Sequence, residues 1–125
     1  MEDTLITFET AVLAKEKGFD WKVLNHYKEK ESINHGGLYN FNNAEEQLKW
    51  IVEIVSRPTQ GLLQRWLRDI HKILVISIPW KDHSTDINDE YTFKPMIVGI
   101  KTYSEYNTYE EALEVGLYEG LQLIK

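Results

Sequence analysis

The 125-residue chain contains no cysteine, only three prolines and only seven glycines. Without cysteine it can form no disulfide, thiolate metal site or thiol nucleophile, and this composition fits the reducing cytoplasm. Long apolar runs are also missing, since the stretch at residues 73–76 is far shorter than the about 20 residues of a membrane-spanning helix. The acidic start of the chain lacks the basic and apolar regions of a secretory signal. We therefore expect a soluble cytoplasmic protein without membrane contact.

The composition that is present favours one folded domain. Hydrophobic residues make up 42% of the chain and aromatic residues 12%, which is too apolar for an intrinsically disordered protein. A chain of this length falls within the usual size of one domain and can bury one core. We predict a single domain over residues 1–125. Acidic residues exceed basic ones, giving a formal net charge of -6.

Two helices near the ends of the chain have clear start signals. Thr4 or Thr7 can cap a first helix that runs to about residue 17, where Gly18 supplies the positive φ of a helix end. Thr108 opens a capping box with Glu111. Apolar residues then recur at i, i+3, i+4 and i+7, which predicts an amphipathic last helix.

The apolar stripe of the last helix contains two glycines, Gly116 and Gly120. Each costs about 1 kcal/mol relative to alanine in a helix, so their position indicates close approach to a sheet or to another helix. The same apolar stripe could also serve as the interface of a homodimer.

The middle of the chain predicts two more helices, separated by Pro58. Asn43 begins the second helix, in which apolar residues at helical spacing continue to Val55, and Pro58 ends it. Thr59 caps the third helix. The apolar stripe of that helix consists of Leu62, Leu63, Trp66, Leu67 and Ile70.

Strand patterns lie between these helices. Residues 21–28 alternate in polarity as a half-buried strand does, and the glycine pair after them indicates a loop. Residues 73–78 are rich in β-branched side chains, and residues 93–103 alternate as their antiparallel partner, with a polar loop at 82–90 between the two. The order helix, strand, helix, helix, strand, strand, helix predicts an α+β fold, and it begins as a winged helix does.

No familiar catalytic or cofactor motif occurs in the sequence. There is no G-x-S-x-G elbow, P-loop or G-x-G-x-x-G, and no two of the four histidines are spaced as metal ligands on one helix turn. The loop 82–90 resembles a calcium loop, but Ile87 replaces the turn glycine and Phe93 replaces the bidentate glutamate. We predict no cofactor and no metal. An enzyme would need an unrecognised site near His71, His83 and the loop acids.

Residues 57–72 concentrate positive charge in an acidic protein. They carry four basic residues and one acidic residue, a net +3, which leaves -9 for the rest of the chain. If the fold were a winged helix, the third helix would be the recognition helix and loop 81–92 would be the wing. Arginine and glutamine side chains on that helix are suited to hydrogen bonding with the edges of bases. The acidic loop and the net charge oppose DNA binding. The candidate nucleic-acid-binding residues are Thr59, Gln60, Gln64, Arg65 and Arg68.

Three segments resemble a known group of proteins: residues 58–71, with the sequence PTQGLLQRWLRDIH, residues 7–20 and residues 109–117. They look like short uncharacterised proteins encoded by bacteriophages, prophages and mobile elements of gut Bacteroides-type bacteria. The resemblance spans most of the chain. It implies a phage or mobile-element type of protein, with no activity and no catalytic residues to carry over.

The leading interpretation is a small cytoplasmic α+β protein of this type that acts without catalysis, by binding an unknown protein partner. A winged-helix-like regulator that binds DNA is the alternative, and an enzyme is a third interpretation. These three interpretations differ in what the protein contacts: another protein, DNA or a substrate.

Overall fold

The computed structural model describes residues 4–28, 31–40, 42, 54–80 and 92–125, which form helices and two antiparallel sheets. The predicted α+β class is confirmed, and the predicted order of elements agrees in outline. The elements are α1 (Phe8–Glu16), β1 (Val23–Lys28), β2 (Glu31–Tyr39), β3 (Ile54–Arg57), α2 (Gln60–His71), β4 (Val75–Trp80), β5 (Thr92–Ile97), β6 (Lys101–Thr102) and α3 (Tyr109–Gln122).

Each of these helices begins at a threonine that the sequence predicts as a cap. The threonine side chain accepts a hydrogen bond from the backbone N–H three residues later, which satisfies one of the donors left open at a helix start. α1 ends before Gly18, whose φ of 93° lies in the left-handed region that glycine adopts readily. The capping bonds join Thr7 to Thr10, Thr59 to Leu62, and Thr108 to Glu111.

The first sheet has the strand order β2-β1-β3, and both outer strands run antiparallel to β1. Two predictions are wrong here. The region around the glycine pair is strand β2 rather than a loop, and Ile54–Arg57 is strand β3 rather than the end of the second helix. The rest of that predicted helix, residues 43–53, lies outside the described residues. A winged helix has another helix before its recognition helix. Here strand β3 leads directly into α2 instead.

The second sheet has the strand order β4-β5-β6 and is also antiparallel. The sequence predicts one partner strand over residues 93–103, but the structure divides it into β5 and β6. The division is a turn at residues 98–100, in which Gly99 has a φ of 80° that side chains with a Cβ rarely adopt. The predicted loop at 82–90 lies outside the described residues.

The segment before α1 is tied to the end of the first sheet. Ile6 is fully buried, and its N–H donates to the Pro58 carbonyl at 3.1 Å. The Ile6 carbonyl accepts two more hydrogen bonds, from the Tyr27 hydroxyl at 2.9 Å and from Arg57 Nε at 2.8 Å. A single buried carbonyl thus joins three separate parts of the chain.

Burial raises the pKa of the Tyr27 hydroxyl above its ordinary value of 10.0. The Arg57 guanidinium, whose Cζ lies 4.5 Å from the centre of the Tyr27 ring, lowers this pKa, while Glu114 and Glu9 raise it, and the net change is upward. The folded protein therefore holds the phenolic proton more tightly than the unfolded chain does.

We expect the free energy of unfolding to fall as the pH rises above about 10, the ordinary pKa of tyrosine, because the unfolded chain then releases the Tyr27 proton first. Tyr27→Phe should cost about 1 kcal/mol at neutral pH through the lost hydrogen bond, and it should reduce the alkaline fall. Urea unfolding followed by circular dichroism at neutral and alkaline pH measures both quantities. Equal alkaline slopes in the two proteins would contradict the raised pKa.

α3 lies against β4 and β5, and it also contacts α1 and α2. A Cβ atom on Gly116 would lie 2.7 Å from Val75 Cγ1, and one on Gly120 would lie 2.9 Å from Val75 Cγ2. The predicted close approach of the two glycines is thus confirmed, and it is to the sheet. The chain itself buries most of the apolar stripe of α3, so those buried residues are not available as the surface of a homodimer.

The buried core joins the two sheets to all three of these helices. Ile70 is not part of it, although the sequence places this residue on the apolar stripe of its helix, because its side chain is 54% exposed. None of the helices within the described residues is long and apolar enough to cross a membrane. The core residues are Ile6, Ala11, Ala14, Phe19, Val23, Tyr27, Val55, Leu63, Trp66, Leu67, Val75, Ile97, Leu113, Leu117 and Leu121.

Candidate partner-binding surface

The second sheet has an apolar face on the side away from α3. Side chains alternate along a strand, and Val75 and Ser77 are on the α3 side: Val75 meets the α3 glycines, and Ser77 Oγ donates to the Tyr109 carbonyl at 3.0 Å. The side chains between and beside them therefore point the other way. We call these residues the outer face: Leu74, Ile76, Ile78, Trp80, Lys94, Met96 and Val98.

The strand register brings the outer-face residues together in cross-strand pairs. Such neighbouring side chains on one sheet face are close enough to act as a single surface. Lys94 Nζ also lies 3.8 Å from the centre of the Trp80 ring, so the lysine covers part of the indole. The pairs are Ile76 with Met96 and Ile78 with Lys94; just beyond the strands, the Val98 N–H donates to the Leu74 carbonyl at 2.9 Å.

The outer face is open to solvent to an unusual degree for apolar side chains. Trp80 is 43% exposed, Val98 44% and Leu74 37%, and the other four residues are half-buried. An antiparallel sheet with one face on the core normally carries polar side chains on its other face. Six of the seven outer-face residues are apolar instead, although the strand register places Thr92 and Thr102 on the same side of the sheet, and a contiguous apolar surface of this kind is typical of an interaction site.

A groove of about 430 Å³ adjoins the outer face at Leu74, which belongs to both. We call it the arginine groove, because Arg65 and Arg68 of α2 line it. It brings together four of the five residues that the sequence suggests for nucleic-acid binding. The lining residues are Thr59, Gly61, Leu62, Gln64, Arg65, Arg68 and Leu74.

Three of the four polar side chains in the arginine groove are already engaged within the chain. The Thr59 hydroxyl caps α2, and Gln64 Nε2 donates to the Val75 carbonyl at 2.6 Å. Arg68 Nε donates to the carboxylate of the following residue at 2.9 Å. Arg65 is exposed and makes no such bond within the part of the chain that the structure describes, so its guanidinium is available to a ligand.

Gln60, the fifth suggested residue, does not face a nucleic acid. It is only 4% exposed, and its Nε2 donates to the Glu110 carbonyl at 2.9 Å and to the Glu114 carboxylate at 3.0 Å. The same carboxylate accepts bonds from the Thr7 N–H at 3.1 Å and the Thr7 hydroxyl at 3.0 Å. These bonds tie the N-terminal segment and α2 to α3, which is a structural role.

A second cleft, of about 390 Å³, lies beside these bonds. Glu110, Glu111 and Glu114 contribute to its lining together with Leu5 and Val115. The Glu114 carboxylate is held by bonds within the chain, so it has a structural role beside this cleft.

Of the residues suggested for an enzyme site, only His71 lies among the described residues. The His71 ring packs against Trp66, with 4.6 Å between ring centres. No group of three or more histidine, aspartate or glutamate side chains that could hold a metal occurs within residues 4–28, 31–40, 42, 54–80 and 92–125. His83 and the acids of loop 82–90 lie outside these residues.

Comparison of the chain with protein-family models, with curated proteins and with solved structures finds no match. The candidate surface is therefore interpreted from its own geometry. The charge pattern of the sequence points to the residues of the arginine groove, whereas the outer face was not predicted. The available signal was the run at residues 73–78, which is apolar at Ile76 and Ile78 as well as at Val75.

Proposed function

We propose that this protein is a non-enzymatic accessory protein that binds another protein on its outer face. The observation that carries the proposal is the open apolar surface on the second sheet, opposite the face that α3 covers. Tryptophan and methionine, present here as Trp80 and Met96, are enriched at protein interfaces, and so is arginine, which lines the adjoining groove.

The cellular setting that we propose is inferred from the sequence. The cysteine-free composition and the resemblance to phage, prophage and mobile-element proteins support a role in the cytoplasm of a bacterial host. Binding to a larger protein needs an exposed apolar patch and no catalytic group. The outer face supplies such a patch.

The test compares wild-type protein with Ile78→Glu, which places a charge in the middle of the outer face. We expect a host protein that is retained by the immobilised wild type to be lost with Ile78→Glu, by at least about tenfold in Kd when the purified pair is titrated, because burying an unpaired carboxylate is costly. Ile70→Glu is the matched control, since Ile70 is exposed on α2 and belongs to neither the sheet nor the groove. A purified partner that binds Ile78→Glu as tightly as wild type would refute this docking surface.

A regulator that binds DNA is the second candidate, and one observation favours it. Thr59, Gln64, Arg65 and Arg68 share a single groove, as a recognition surface would require. A gel shift at low salt that disappears on Arg65→Ala plus Arg68→Ala would support DNA binding. Absence of any shift at low salt would end this candidate.

A further inference from the structure

The arginine groove and the outer face are continuous, and this continuity specifies the chemistry of a partner. Leu74 lines the groove and also closes one end of the outer face. A segment that covers the apolar side chains of β4 therefore meets Arg65 and Arg68 at that end. We infer that the partner presents an amphipathic helix with an apolar stripe for the outer face and carboxylates at one end for the arginine groove. This inference rests on the proposed function.

The helical form follows from the architecture of the second sheet. An apolar sheet face is most often covered by a helix or by another sheet, and α3 already covers the opposite face in this way. Leu74 and the following strand β4, up to Trp80, together span about 20 Å, at about 3.3 Å per residue. A helix of about 13 residues has the same length. A partner helix would complete three layers, with β4 and β5 between two helices.

The acidic end follows from the charges around the groove. Arg65 has no engaged N–H group within the described residues, and Arg68 uses only its Nε, on Asp69 at 2.9 Å. Guanidinium groups bind carboxylates through two parallel hydrogen bonds, which makes them more selective for carboxylates than an ammonium is. Asp69 pairs with Arg68 and offsets its charge, so Arg65 supplies the uncompensated positive charge of the groove, while Arg68 adds its remaining N–H donors.

A protein helix fits this surface better than duplex DNA does. DNA binding relies on several cations that contact phosphates along the backbone, whereas the groove carries two arginines and continues into apolar side chains. Contact with phosphates would leave Leu74 and its neighbours on the outer face exposed. The formal net charge of -6 also opposes approach to a polyanion.

The experiment uses two synthetic helical peptides of about 14 residues that share one leucine stripe. The first carries glutamates at one end, the second carries glutamines there, and both are labelled for fluorescence anisotropy. We expect the wild-type protein to bind the glutamate peptide about tenfold more tightly than the glutamine peptide. Salt should weaken the first complex more than the second.

Variants assign the effect to the two parts of the surface. Arg65→Gln plus Arg68→Gln should reduce binding of the glutamate peptide to the level of the glutamine peptide. Arg65→Lys should retain part of the preference, because lysine keeps the charge but not the planar pair of donors. Ile78→Glu should weaken both complexes. Each variant is first checked for an unfolding midpoint equal to that of the wild type.

The outcomes separate the inference from the proposed function. If both peptides bind equally and Ile78→Glu abolishes both, the outer face docks a helix but the acidic end is refuted. If neither peptide binds, helix docking on the outer face is refuted as well. If a labelled DNA duplex binds while the peptides do not, the helix-docking inference falls and the DNA-binding candidate is supported, whereas the proposed function falls only by its own test with Ile78→Glu.

Discussion

Trp66→Ala is expected to lower the free energy of unfolding by about 4 kcal/mol. The side chain is 2% exposed, and its indole packs edge-on against the Phe19 ring at 5.3 Å and the His71 ring at 4.6 Å between centres. Removing it leaves a cavity where α2 meets the segment after α1. Since small domains unfold with about 5–15 kcal/mol, the loss is a large fraction of the total. Urea unfolding followed by far-ultraviolet circular dichroism measures it.

Trp80→Ala is the matched control for this prediction. Trp80 is 43% exposed on the outer face, and its described aromatic contact is with the Lys94 ammonium. Loss of an exposed cation–π contact costs only about 0.5–1 kcal/mol. If the two alanine variants were equally unstable, Trp66 would not have the core position that the structure gives it.

Gly116→Leu is expected to destabilise the protein by about 3 kcal/mol, the upper range for overpacking a core. A Cβ at this position would already lie 2.7 Å from Val75 Cγ1 and 3.2 Å from Pro95 Cβ. The better helix propensity of leucine offsets about 1 kcal/mol of the cost, so the measured loss is a net value. Gln122→Leu is the control, because that residue is exposed on the same helix. The measurement is chemical unfolding of each variant.

A double-mutant cycle tests whether the crowding at Gly116 is specific to Val75. Gly116→Ala and Val75→Ala should each destabilise the protein, the first through the short contact and the second through a cavity. Together they should cost less than the sum of the two single changes, since the valine methyl groups are what the new Cβ meets. Strict additivity would show that α3 shifts to relieve the contact in another way.

The sequence predicts the helix starts well because the interactions that set them are local. Thr7, Thr59 and Thr108 each bond to an N–H only three residues away, so the residues on either side of the bond are visible in a short stretch of sequence. Gly18 similarly marks the end of α1 through its own backbone conformation. The apolar stripe of α3 is also local in period, and the structure buries it as predicted.

The errors in the first sheet have the opposite cause. Ile54–Arg57 continues a helical spacing of apolar residues, yet it is a strand because it pairs with β1, about 30 residues earlier in the chain. Local propensity does not reveal a pairing between residues so far apart. Glu31–Tyr39 has few strand-forming side chains and two glycines, but it pairs with the other edge of β1. Pairing between distant strands decides both segments.

The candidate surface shows the same division between local and distant effects. The basic composition of residues 57–72 singles out Arg65 and Arg68, which do line one groove. Gln60 has the same polarity as Gln64, but its burial depends on Glu114, 54 residues away. A polar residue on a helix can be exposed or can be buried with a bonding partner, and the helix alone does not distinguish these cases.

The sequence by itself determined the α+β class, the starts of the helices at Thr59 and Thr108, the choice of Thr4 or Thr7 for the first helix, and the inward stripe of α3, because these depend on composition, on spacing and on bonds that span a few residues. Only the tertiary structure decided which apolar residues stay exposed. Residues 73–78 place apolar side chains on both faces of the second sheet, but α3 covers only the face to which Val75 belongs. The outer face exists because burial depends on which distant element packs against a strand.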